Sequence, residues 1–189
     1  NDQFYIDKIK AGDTKAFAVL VNRYRNMVFT LTLQMLKNRE EAEEVSQDTF
    51  VKIYKYLDKF KGDSKFSTWV YRIAYNACLD RIKTYKKHKN TVGIDEFTEN
   101  QVKTLETAFD LMDRSDRQKS VKECLQRLPE DDATIITLFY FKELSLTEIS
   151  KIVGIETNNV KIRLFRARKR LATILKKRLE PTILENYGQ

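Results

Sequence analysis

Glycine, proline, cysteine and histidine are all scarce in this chain: its 189 residues include five Gly, two Pro, two Cys and one His. Each scarcity removes a class of protein. Cys78 and Cys124 lie far apart with no second Cys or His beside either, which argues against metal ligation and makes a reducing intracellular setting the default. The single histidine, His88, sits in a Lys-rich run and reads as solvated. No nucleophile–base pair, Gly-rich phosphate loop or carboxylate cluster at metal spacing appears, so no catalytic residue, metal site or cofactor is expected. No apolar run approaches a membrane span, and the opening Asn1-Asp2-Gln3-Phe4-Tyr5 lacks signal-peptide character; a cytoplasmic setting follows as the expectation. Alternating strand patterns are missing too, while helical periodicity runs from end to end, which predicts an all-α chain.

What the chain has in excess is positive charge. It carries 35 Lys and Arg against 27 Asp and Glu, a net charge of +8, with 42% hydrophobic residues to build one or two cores. The excess is concentrated: Thr157 to Leu179 holds nine Lys or Arg and no acid. The segment before it has local signals for a helix-turn-helix. Ser145 and Glu148 have capping-box spacing, predicting a short helix from Leu146, and Gly154 supplies the permissive backbone for a sharp corner. From there Val160, Leu164, Ala167 and Leu171 recur at helical spacing and face inward. The opposite face then presents Asn158, Ile162, Phe165, Arg166 and Lys169, flanked by Asn159, Lys161, Arg163 and Arg170. Asn reads adenine edges, Arg reads guanine and apolar groups meet thymine methyls, so the layout suits a helix in a DNA major groove. Acid–base pairing at i,i+4, the usual mark of a solvated helix, is absent from the stretch.

Upstream, Asp13 is positioned to cap a helix to about Lys37 that buries Phe17, Leu20, Tyr24, Val28 and Leu31. Asn38 with Glu41 repeats the capping-box spacing and opens a helix to about Phe60, with Ala42, Val45, Thr49, Ile53 and Leu57 inward. A third helix is expected from about Ser67 to Lys87, anchored by Trp69, Ile73 and Ala77, with Tyr71 and Tyr75 off the apolar stripe. Basic residues Arg81, Lys83, Lys86, Lys87 and Lys89 follow its aromatic residues, an interleaving suited to single-stranded nucleic acid. The composition turns acidic after residue 90, where seven acids oppose three bases between Thr91 and Arg117. These shifts divide the chain into a helical module at 1–90, a flexible acidic linker at 91–113 and a second helical module at 114–189.

Taken together, these motifs resemble an extracytoplasmic-function sigma factor, a group IV member of the bacterial sigma-70 family. Ala42-Glu43-Glu44-Val45-Ser46-Gln47-Asp48-Thr49-Phe50 resembles region 2.2, Phe66 through Asp80 resembles regions 2.3 and 2.4, and Leu128 through Leu171 resembles region 4. The resemblance implies a non-catalytic initiation factor with core RNA polymerase and promoter DNA as partners and no small-molecule substrate. It implies polymerase binding through Glu44, Gln47, Asp48 and Phe50. The minus-10 element would fall to Lys65, Phe66, Ser67, Tyr75, Asn76, Asp80, Arg81, Lys86 and Lys87, and the loop before the helix would receive a base swung out of the duplex. The minus-35 element would fall to Asn158, Asn159, Lys161, Ile162, Arg163, Phe165, Arg166 and Lys169. An anti-sigma factor, in this family often membrane-attached, is the expected regulator.

Ile162 departs from the family pattern, standing where a small polar residue is common, and Asn158-Asn159 replaces a frequent Gly-Thr; the promoter sequence therefore does not transfer. Two other readings fit parts of the chain. A stand-alone helix-turn-helix regulator would bind duplex DNA unaided, and a helical adaptor would use its basic faces on acidic partners.

Overall fold

The structure, a computed structural model, describes residues 1–86, 121 and 123–186, with backbone alone at 85–86, 176 and 178–186. The expected acidic linker at 91–113 lies outside the described residues, as do Lys87, His88 and Lys89. Every regular element among the described residues is a helix, and none is a strand.

The first helix, α1 (Asp2–Lys10), was not foreseen. Asn1 caps it by accepting from the Gln3 backbone N–H at 3.1 Å, and Ile6 is fully buried from it. Asp2 ties α1 to the next helix by accepting from Arg23 and from the Tyr24 hydroxyl. Helix α2 (Lys15–Leu36) begins where Asp13 Oδ1 accepts from the Lys15 and Ala16 backbone N–H groups at 3.1 and 3.3 Å. It buries Leu20, Tyr24, Val28 and Leu31 as expected, with Phe17 at the margin. Helix α3 (Arg39–Lys55) starts at Asn38, which accepts from the Glu41 N–H at 3.2 Å, and all five of its expected inward residues are buried. It ends five residues short of the expected limit, and a single 3-10 turn at Leu57–Lys59 carries Leu57 into the core.

The face of α4 (Phe66–Lys86) differs from the expected one. Phe66, Val70, Tyr71, Ala74, Tyr75, Ala77 and Cys78 are buried, whereas Trp69 and Ile73 are only partly covered. The cause is tertiary: α4 packs against α2 and α3 and also against the Leu146–Val153 helix of the second half, so Tyr71 and Tyr75 lose their solvent. Trp69 instead joins a ring cluster with Phe60 and Phe66, at centroid distances of 5.4 and 5.6 Å.

In the second half a helical turn at 123–127 precedes α5 (Glu130–Ile136), a π-turn at Thr137–Phe141, α6 (Leu146–Val153) and the long α7 (Thr157–Asn186). The helix-turn-helix forms as its signals predict. The Ser145 Oγ accepts from the Glu148 N–H at 3.2 Å and Glu148 Oε2 accepts from the Ser145 N–H at 3.0 Å, closing the capping box. Gly154 ends α6 at φ 73°, a left-handed conformation that an L side chain adopts at a cost. Ile149 and Ile152 of α6 and Val160, Leu164 and Ala167 of α7 then enter the core.

One continuous apolar core runs from Ile6 to Ala167 and so includes both halves. Polar contacts cross the seam: Gln34 Nε2 donates to Thr137 Oγ1 at 2.7 Å, Lys37 Nζ to the Leu128 carbonyl at 3.2 Å, and Lys151 Nζ to the Asp63 carbonyl at 2.8 Å.

Gly154→Ala isolates the backbone cost of the corner, because an added Cβ meets nothing within 4 Å. It is expected to cost about 1 kcal/mol and to lower Tm by about 2–4 °C for a chain of this size. Thermal unfolding by circular dichroism checks it, and an unchanged Tm would show that the corner does not need its left-handed residue.

Candidate nucleic-acid interface

Helix α7 has the two-sided character that reading DNA requires. Val160, Leu164 and Ala167 lock one face into the core, and on the other Asn158, Asn159, Lys161, Ile162, Arg163, Phe165 and Arg166 are exposed. The outward apolar pair is open to solvent, Ile162 at 48% and Phe165 at 49%. Lys169, half-buried, sets its ammonium 4.6 Å above the Phe165 ring, so a cation and an apolar edge are presented as one unit. Arg170, placed by its sequence on the flank of this face, turns instead to the buried Asp132 of α5 and anchors the helix. A buried carboxylate requires such a partner. Arg163 keeps its place on the face while lying 3.6 Å from Asp131 of α5.

The nine residues expected at the minus-10 element are dispersed. Asn76 and Asp80 are exposed on α4, and Ser67 is half-buried at its start. Phe66 is a core residue. Tyr75 is also buried, its hydroxyl donating to Asp131 at 2.9 Å; burial first, then the adjacent Asp131 carboxylate, raises its pKa far above the ordinary phenol value. Lys65 pairs with Glu148 of α6 at 2.9 Å. Arg81 forms a two-point fork with Glu44, at 2.9 and 3.1 Å, and reaches Glu41 at 3.9 Å. The hydrogen bond from Arg81 and its charge hold the Glu44 carboxyl below its usual range. An arginine expected on DNA and a glutamate expected on polymerase are thus bound to each other. The Lys86 side chain and Lys87 lie outside the described residues.

On α3, Gln47 and Asp48 are exposed beside Glu44, and Phe50 is half-buried against the core. The sequence reading missed Val51, which at 66% exposure follows Gln47 and Asp48 by one helical turn on the same face. An aliphatic residue one turn beyond Gln47 and Asp48 on the outer face of α3 was the available signal.

Among the described residues no group of three or more His, Cys, Asp or Glu is disposed to hold a metal. Burial pushes the Cys78 thiol up to about 12, which removes it as a nucleophile.

Residues 20–88 match the family model for Sigma-70 region 2, and residues 118–171 match that for Sigma-70, region 4. An RNA polymerase sigma-H factor of Pseudomonas aeruginosa is 32% identical over 97% of this chain and 96% of its own length. The chain belongs to the sigma-70 family. Its extracytoplasmic-function character is carried by relatives such as the ECF RNA polymerase sigma factor SigW of Bacillus subtilis, 34% identical over 88% of this chain and 92% of that one. The sigma fold is shared with a solved structure, the sigma factor RpoE in complex with the anti-sigma factor NepR from Bartonella quintana. That chain superposes at a TM-score of 0.63 with 20% identity, over 86% of this chain and 98% of its own. The protein is therefore an RNA polymerase sigma factor, and its two halves are sigma region 2 (α2 to α4) and sigma region 4 (α5 to α7).

The contact between the two sigma regions has a pH signature. Hydrogen bonds from Lys65, then from Ser145, hold the Glu148 carboxyl down at about 2 against an ordinary 4.5. A carboxylate lowered by folding stabilises above its unfolded value and loses that contribution as pH falls through its folded value. Stability should therefore decline between about pH 4.5 and 2, and Glu148→Gln should flatten that part of the profile. Urea midpoints measured across the interval check it; identical slopes in both proteins would place the acid sensitivity elsewhere.

Proposed function

We propose that this sigma factor directs promoter-specific initiation by docking on core RNA polymerase through α3 and reading two promoter elements, one with each region. The observation that carries the reading is α7: one face fixed in the core and a continuous face of Asn, Arg, Lys, Ile and Phe turned outward, within a region 4 that follows region 2 in the chain. Asn158, Asn159, Arg163 and Arg166 supply base-edge contacts in the minus-35 major groove, Ile162 and Phe165 apolar ones, and Lys161 and Lys169 phosphate contacts. Region 2 takes the minus-10 element through Asn76, Asp80 and the Lys65–Ser67 entry to α4, with Phe66 and Tyr75 as the scaffold beneath, and with Arg81, Lys86 and Lys87 on the backbone.

Melting starts when a base leaves the stack, a cost of a few kcal/mol. Stacking and hydrogen bonds in region 2 offset it at about 1–3 kcal/mol per base. The polymerase face comprises Glu44, Gln47, Asp48 and the edge of Phe50, continued by Val51. Its function rests on binding and selection, without a catalytic step or cofactor.

In the packed arrangement Lys65 is held by Glu148 and Tyr75 by Asp131, so region 4 lies over part of the minus-10 surface. Parting the regions is then a requirement for reading both elements, and polymerase supplies it by holding them at the promoter's separation. An anti-sigma factor would act in the opposite sense, stabilising the packed form or covering α3; the complex of the Bartonella quintana sigma factor with NepR supports a partner of this kind. No described helix is long and apolar enough to cross a membrane, which suits work in the cytoplasm beside the polymerase.

Run-off transcription with bacterial core polymerase on a pool of genomic promoter fragments tests the reading. Wild type is expected to yield promoter-specific transcripts, and Gln47→Ala/Val51→Asp, two exposed changes compatible with folding, should abolish them. No transcripts with wild type, together with tight duplex binding in the absence of polymerase, would identify a stand-alone regulator instead. If about six phosphates are contacted, holoenzyme binding should weaken by about three orders of magnitude between about 50 and 200 mM salt; a flat salt response would remove the backbone contacts from the account.

A further inference from the structure

A cavity of about 310 Å³ lies between the loop that precedes α4, the first turns of α4 and the outer side of α6. Its charge is one-sided: Lys59, Lys61, Arg72 and Lys151 line it against a single carboxylate, Asp63. No ion pair among the described residues takes Lys61 or Arg72. Lys151 comes from region 4 and is fixed at the rim by donating to the Asp63 carbonyl at 2.8 Å. The aromatic wall is Trp69. Thr68, 2% exposed, closes the inner wall of the cavity.

These features specify a ligand. Converging cations ask for phosphate, and an indole beside them asks for a planar ring. The volume stands at the low end of ligand sites, about 300–1,000 Å³, which suits one nucleotide and not a longer strand. We propose that the cavity binds a free nucleoside phosphate, with its phosphates on Lys61, Arg72 and Lys151 and its base against Trp69. Because Lys151 belongs to region 4 and the rest of the cavity to region 2, occupancy favours the packed form by mass action. The consequence for transcription rests on the minus-10 reading above, whereas nucleotide binding does not.

Trp69 is the only tryptophan of the chain, so its fluorescence reports on the cavity directly. Titration of the full-length protein with GDP is expected to quench it saturably, and guanosine or inorganic pyrophosphate alone should bind at least about tenfold more weakly. Lys61→Ala/Arg72→Ala and Lys151→Ala, all exposed positions, should each weaken GDP by about tenfold, the loss expected for a charge-assisted contact. Absence of saturable quenching would overturn the proposal. So would pyrophosphate binding as well as GDP, or indifference to Lys151→Ala, which would place the site in region 2 alone. A deoxy tetranucleotide that outcompetes GDP and binds better after Lys151→Ala would overturn it as well, because the cavity would then be a promoter-strand site that α6 merely covers. Transcription failing in the run-off assay while GDP still quenches Trp69 would cost the sigma reading and leave the nucleotide site intact.

Discussion

Helix α4 is buried on more of its circumference than a surface helix of a small domain, and most of the structure follows from that constraint. Its aromatic and small residues must be covered by α2 and α3 within region 2 and by α6 from region 4. With Tyr71 and Tyr75 buried at the cost of their ordinary solvation, the packed arrangement of the two regions is a matter of apolar area, for which the polar contacts provide registration. Lys65–Glu148 and Arg163–Asp131 involve side chains that keep substantial exposure, and such pairs contribute about 0–1 kcal/mol each. Fully burying Ile149 or Ile152 of α6 contributes about 1.5–3 kcal/mol each. The continuous apolar core that includes both halves therefore outweighs the ion pairs at the seam.

How far the fold was legible depended on the sequence distance over which each signal acts. The corner at Gly154 and the capping box at Ser145 are local, set by residues within four positions of one another, and both form as read. The inward faces of α2 and α3 were also legible, because each packs on a sequence neighbour and its period survives. The face of α4 was misread because α6, one of the partners that cover it, comes some seventy residues later in the chain. A stripe through Trp69, Ile73 and Ala77 is the right answer for a helix with one buried side, and α4 has more than one. Arg170 failed for the same reason: its partner Asp132 lies on another helix, and nothing beside Arg170 in the sequence marks it as structural. The cap at Asn1 that starts α1 was there to be read, but the helix has little apolar periodicity beyond Ile6 and Ile9.

The candidate interface was legible in kind and less so in state. Residue types on α7 that suit a DNA-reading face are local to one helix, and most of that face, with Arg163 the exception, has no described partner on another helix. The minus-10 residues behave differently. Tyr75, Lys65 and Arg81 each have an intramolecular partner in the packed form, and no spacing rule announces that Asp131, Glu148 and Glu44 would take them. Asp131 is the sharpest case, because it accepts from Tyr75 of α4 while standing 3.6 Å from Arg163 of the recognition helix. A single carboxylate thereby bears on one residue from each expected promoter contact.

This sharing has an energetic consequence for how the two elements are read. A residue already engaged within the protein exchanges one partner for another when DNA arrives, so its net contribution is a difference between two contacts and is smaller than its chemistry alone suggests. In the proposed complex Arg163 would gain a base or phosphate and leave Asp131, and Lys65 would gain phosphate and leave Glu148. Asn158, Asn159, Ile162 and Arg166, for which no described contact has to be broken, contribute without that deduction. On the proposed reading, affinity for isolated promoter DNA would be carried by the tip of α7, and region 2 would engage only when something else had offset the apolar seam. Polymerase would be suited to that task because its proposed contact face on α3 is formed by outward residues of region 2 that the seam does not cover, so it could hold region 2 whether the regions are packed or parted. On this reading selectivity would arise from order: docking first, separation next, and only a promoter with both elements at the right distance would recover the cost of parting them.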